Sequence, residues 1–135
     1  MYKHILVPVA FDEDREPEKA LAVARTLLEK GGRVTLLHVM EETPPFAINY
    51  IPPEDLRNLR EALESELAEM AARFENARGL VIEGHAGRTI LEWVKENAPD
   101  CIVISSHRPG LSDYFLGSTA AHVVRNAQCA VHVVR

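Results

Sequence analysis

The chemistry of this chain concentrates between Ser105 and Thr119, which reads Ser-Ser-His-Arg-Pro-Gly-Leu-Ser-Asp-Tyr-Phe-Leu-Gly-Ser-Thr. Small and hydroxylated residues precede a helical pattern that carries Ala120, Val123, Val124 and Ala127. The opening turn of a helix holds backbone N–H groups without intrahelical partners and a partial positive charge. Such a terminus suits a phosphate. Gly117 allows close approach to the backbone, Ser118 and Thr119 add hydroxyls, and Arg108 adds a charge-assisted donor. The plainer reading is an ordinary N-cap made by Ser or Thr.

Other chemistries find little support. There is no P-loop lysine motif and no Gly-x-Ser-x-Gly elbow. Ser118 as a nucleophile needs an adjacent base, and none is evident. A phospho-receiver needs paired acids after its first strand, where this chain has Ala10. It also needs an Asp ending its third strand, where this chain has Glu83-Gly84-His85. His4, His38, His85, His122 and His132 fall on or beside separate elements and are read as structural or surface residues. His107 stands apart because of its place in the loop. Cys101 and Cys129 form no C-x-x-C pair and are read as buried, reduced thiols.

The elements that must position the loop follow from periodicity. Ile5 to Val9 is a continuous apolar run, as in a strand buried on both faces, with Pro8 at its end. Pro17 suits a first helical turn, and Ala20, Leu21, Ala24, Leu27 and Leu28 form a helical stripe that Gly31-Gly32 is expected to end. Val34–Val39 is a second strand. A proline-bearing loop from Met40 to Pro53 follows. A helix from about Glu54 presents Leu56, Leu59, Leu63, Leu67, Met70 and Phe74 on one face, with Glu54 and Asp55 complementing its dipole. Leu80–Ile82 is a short strand, Gly84–Gly87 a turn, and Ile90, Leu91, Val94 and Ala98 mark a helix closed by Pro99. Cys101–Ile104 and Ala130–Val134 complete the strands.

The alternation β-α-β-α-β-α-β-α-β predicts one α/β domain over residues 1–135. It is a doubly wound, five-stranded parallel sheet of order 3-2-1-4-5 with helices on both faces. In such sheets ligands bind beyond the carboxyl ends of the strands, where the strand order reverses. That point lies between strands one and four, so the loops beginning at Val9 and Ser105 are the ones to inspect.

The bulk numbers fit this picture. The chain has 135 residues, 47% hydrophobic and 26% charged, with a net charge of −5. One compact domain is expected. Its acidity disfavours nucleic acid and anionic membrane as partners. No signal peptide and no membrane span are expected, and the reading is cytoplasmic.

The sequence resembles the universal stress protein family over nearly its whole length. Tyr2-Lys3-His4-Ile5-Leu6-Val7-Pro8-Val9 is similar to the family's first strand and Leu36-Leu37-His38-Val39 to its second. Gly84-x-x-Gly87 with Ile90 resembles the turn into its third helix, and Asn126 to Arg135 resembles its ending. ATP-binding members carry G-x2-G-x9-G-(S/T) after strand four. Gly117-Ser118 matches the final pair, but Ser105 replaces the first glycine, the second is missing, and the loop is one residue shorter. Ser106-His107-Arg108-Pro109 with Tyr114-x-Leu116-Gly117-Ser118 resembles an enterobacterial branch that also binds nucleotide.

The resemblance implies an adenine-nucleotide pocket of the same α/β fold. Pro8, Val9 and Ala10 would line the adenosine side, and Val39 would meet the adenine. Ser105, Ser106 and His107 would pass beside the ribose and α-phosphate. Arg108, Gly117, Ser118, Thr119 and Ala120 would hold the outer phosphates. The family usually has Asp where Ala10 stands; Asp12 and Asp14 are read as solvated loop acids. ATP, or ADP or AMP, is the expected ligand. Mg²⁺ would accompany the phosphates, with no dedicated protein cage. A homodimer through the final strand, 130–135, is implied, with tetramers in the related branch. Three roles compete: a nucleotide-dependent regulatory or stress-response protein, a slow ATPase or nucleotidyl transferase, and a nucleotide-free dimeric scaffold. Efficient catalysis is not expected.

Overall fold

The computed structural model describes residues 1–11, 17–42, 44–47, 50–106 and 116–135. In chain order these form β1 (Tyr2–Pro8), α1 (Glu18–Leu27), β2 (Leu28–Met40), α2 (Pro53–Ala71), β3 (Ala77–Glu83), α3 (Ala86–Asn97), β4 (Cys101–Ser105), α4 (Ser118–Asn126) and β5 (Ala130–Val134). The strands make one parallel sheet of order β3-β2-β1-β4-β5, as the alternation predicts.

Strand side chains alternate between two faces, and each face has its own core. Ile5, Val7, Val34, Leu36, Cys101 and Val103 pack with Ala20, Leu21 and Ala24 of α1 and Leu67, Met70 and Ala71 of α2. Leu6, Leu37, Ile102 and Ile104 pack with Ile90 and Trp93 of α3 and Ala120 and Val123 of α4. Burial on both faces explains why the central strands read as unbroken apolar runs. The approach of α2 to β3 depends on Gly79, where a Cβ would lie 2.5 Å from Cβ of Leu67.

Several boundaries differ from expectation. Gly31-Gly32 does not end α1. The helix closes at Leu27, and Leu28 is already extended, with φ −74° and ψ 129°. Leu28 pairs with Tyr2 and packs on the core, so sheet pairing displaces further helix. The glycines lie inside β2, where Gly31 takes φ +82° and the register with β1 shifts between Tyr2 and His4. Ala86 and Gly87 open α3 and are not part of a turn. β3 is longer than its apolar centre suggests. Leu59 and Val124, assigned to apolar stripes, are exposed. Cys129 is only half-buried; both cysteines are free, and burial pushes the Cys101 thiol up to about 11.

Candidate functional site

A cleft opens at the carboxyl ends of β1, β2 and β4, at the reversal of strand order. Pro8, Val9 and Ala10 line it from the end of β1, and His38 and Val39 from β2. Ser105 and Ser106 line it from the end of β4, and Gly117, Ser118, Thr119 and Ala120 from the start of α4. Ten of the twelve residues singled out in the sequence therefore surround one cavity. The other two, His107 and Arg108, lie outside the described residues, as do Asp12 and Asp14.

Backbone bonds hold the walls in place. Val9 N–H donates to the Leu37 carbonyl at 2.8 Å, which carries the β1–β2 ladder one residue past Pro8. Ser106 N–H donates to the Val134 carbonyl at 2.8 Å, tying the end of β4 to β5. The Ser106 carbonyl in turn accepts from Gly117 N–H, so both ends of the intervening loop are pinned together.

The start of α4 is not capped by a side chain. Gly117 occupies the N-cap at φ −60° and ψ 155°, a conformation open to any residue, so its lack of a side chain matters for space and not for backbone geometry. Ala121 N–H makes the first helical bond, to the Gly117 carbonyl at 2.9 Å. The N–H groups of Ser118, Thr119 and Ala120 are left without protein acceptors among the described residues. Ser118 and Thr119 occupy the first two helical positions, not the capping position, so the plain N-cap reading of their hydroxyls does not hold. Amides without acceptors among the described residues, at a positive helix end beside an apolar wall, can hold an anion.

His38 is the site residue that the sequence reading missed. Its Nδ1 lies 2.7 Å from the Val9 carbonyl oxygen, and its ring meets Phe11 edge-on at 4.9 Å between centroids. A carbonyl only accepts, so Nδ1 carries the hydrogen. A histidine near the carboxyl end of the strand, in the run Leu36-Leu37-His38-Val39, is the signal that could have marked it. Among the described residues no group of three or more His, Cys, Asp or Glu could hold a metal ion. Among them, too, no helix is long and apolar enough to cross a membrane.

The fold and its crevice define a doubly wound α/β protein with an uncapped helix start at the strand-order reversal. A model of the universal stress protein family matches residues 1–135, and the chain belongs to that family. It is 32% identical over 143 residues to universal stress protein G of Escherichia coli O157:H7, covering 100% of both chains. Among solved structures, the hypothetical protein MJ0577 superposes with a TM-score of 0.83 at 26% identity, covering 99% of this chain and 96% of that one. The Archaeoglobus fulgidus universal stress protein in complex with dAMP has a TM-score of 0.66 at 20% identity over 99% and 98% of the two chains. An Arabidopsis thaliana family member with AMP bound has a TM-score of 0.66 at 19% identity over 98% and 90%.

Proposed function

We propose that this chain binds an adenine nucleotide in the cleft and acts as a nucleotide-dependent regulatory protein of the stress response in the cytoplasm. ATP is the ligand favoured here. The observation that carries the reading is the start of α4, which has no side-chain cap, with the amides of Ser118, Thr119 and Ala120 lacking acceptors among the described residues, beside apolar walls from β1 and β2. Two proteins of this fold, with AMP or dAMP bound, support the choice of adenine nucleotide. In this reading Pro8, Val9, Ala10 and Val39 contact the adenosine, and Ser105, Ser106 and His107 pass beside the ribose and α-phosphate. Gly117, Ser118, Thr119, Ala120 and Arg108 hold the outer phosphates. Mg²⁺ would accompany the nucleotide and supply charge neutralisation at its phosphates.

Among the described lining residues His38 is the one imidazole; its Nδ1–H goes to the Val9 carbonyl, which leaves Nε2 as an acceptor, so a slow ATPase or nucleotidyl transferase stands as the second reading. The test is mass spectrometry of denatured, freshly purified protein, with calorimetric titration of AMP, ADP and ATP with and without Mg²⁺. Co-purified nucleotide, or ATP affinity stronger than adenosine affinity, is expected. Equal affinity for ATP and adenosine would remove the phosphate role of α4. No binding of any nucleotide would favour the scaffold.

A further inference from the structure

The sheet carries a second polar concavity at its opposite end, on β2 and β3, lined by Arg33, Val34, Thr35, Asn76, Ala77 and Arg78. Register places the polar residues on one face. His4 pairs with Arg33, and Thr35 pairs with Arg78. Paired residues of parallel strands share a face, as do residues two apart on one strand. His4, Arg33, Thr35 and Arg78 therefore stand together on the α3 side of the sheet.

Their hydrogen bonding leaves one donor over. Arg33 Nη2 lies 3.4 Å from His4 Nδ1, and a guanidinium only donates, so Nδ1 is the acceptor. The imidazole hydrogen is then on Nε2, 2.9 Å from Thr35 Oγ1, which accepts it. The Thr35 hydroxyl hydrogen has no acceptor among the described residues, although Thr35 is only 2% exposed. Neither Arg33 nor Arg78 makes an ion pair among the described residues, in a chain of net charge −5.

We propose that Arg33, Arg78 and the Thr35 hydroxyl form a binding site for a phosphate-class oxyanion, separate from the cleft at the other end of the sheet. Two guanidinium forks match oxyanion geometry and supply charge. Thr35 lines the concavity between them, and its hydroxyl is assigned as the third donor. His4 is a positioning residue that holds the Thr35 oxygen. The groups facing it are Arg33 from β2, Arg78 from β3, Asp100 just before β4 and the edge of Trp93 from α3. Burial, then Arg33, then Arg78, lower the His4 pKa, and Asp100 opposes them. An oxyanion between the arginines offsets their charge, so His4 reports its arrival.

The experiment follows the His4 imidazole by NMR across a pH titration of the full chain, with and without inorganic phosphate at matched ionic strength. Phosphate is expected to raise the His4 pKa by about half a pH unit or more. The response should vanish in Arg33→Gln/Arg78→Gln and in Thr35→Val, and return in Thr35→Ser. A His4 titration indifferent to phosphate, or a double variant that responds like the parent, overturns the proposal. A second arm sediments the protein with phosphatidylcholine vesicles with and without phosphatidic acid. Sedimentation that needs phosphatidic acid and both arginines assigns the oxyanion to a lipid head group. A phosphate response without sedimentation assigns it to a free anion. Sedimentation without a His4 response counts against the site.

Discussion

His38 on β2 donates from Nδ1 to the carbonyl of Val9 at 2.7 Å, and so clamps the first residue beyond β1 to the neighbouring strand. That carbonyl belongs to the segment Pro8-Val9-Ala10 that walls the cleft. The histidine thus acts on the site through the backbone it restrains.

Replacing His38 with Phe keeps an aromatic ring against Phe11 and deletes the donor. The loss should cost about 1–2 kcal/mol of stability, read as a lower urea midpoint at constant slope. AMP affinity should fall several-fold in calorimetric titration. An unchanged affinity would show that the Val9 segment holds its place without the clamp.

Gly117 has an ordinary extended backbone, so Gly117→Val tests space alone. The thermal midpoint should stay within a few degrees of the parent. Binding of ATP should weaken by about tenfold or more, because a branched side chain then stands at the first amides of α4. Unaltered ATP affinity would move the phosphates elsewhere.

Stability should depend on pH through His4. Its imidazole lies below the ordinary 6.5, first because of burial and then because of Arg33. Above about pH 7.5 both folded and unfolded chains hold it neutral, and it contributes no slope. As pH falls through about 6.5 the unfolded chain takes up a proton that the folded chain resists, so stability declines until the lowered folded pKa is reached. Asp100 acts only at lower pH. Burial opposes its charge, but the amides of Lys3 and His4 at 2.8 and 2.9 Å outweigh that and hold it below 3.8. Urea midpoints measured across this range should show the step in the parent and lose it in His4→Gln.

The two edges of the sheet are treated differently. Arg60 donates from Nη2 to the Val81 carbonyl on β3 at 2.7 Å, which takes up one main-chain acceptor of that edge strand. β5 ends the other side, and its Ala130 and His132 are exposed. A homodimer through 130–135 is the expected use of that edge. His132→Glu adds charge there without touching the core. Analytical ultracentrifugation should show the parent as a dimer and the variant dissociating at about tenfold or more higher concentration. A monomeric parent would rule the dimer out.

Much of the fold was legible because the central strands are buried on both faces and write themselves as apolar runs, Ile5–Val9 and Cys101–Ile104. The strand-order reversal then located the cleft, and Ser105 with Gly117, Ser118 and Thr119 followed from it, while Ala120 came from the family resemblance. Leu28 was misread because Leu27-Leu28 continues a helical stripe, and only pairing with Tyr2 decides against it. Leu59 was misread because it shares a regular apolar stripe with Leu56, Leu63 and Leu67, and the spacing alone does not show which of them the core covers. His38 was missed because its role is a bond to a main-chain carbonyl, which no side-chain spacing encodes.

The bond from Gly117 to Ser106 has a further consequence. It joins the end of β4 directly to the start of α4. Lengthening such a closed span costs little entropy, about 0.6 kcal/mol per doubling. A longer, glycine-bearing graft from a relative between Ser106 and Gly117 should therefore change ligand preference while the thermal midpoint of the fold stays put.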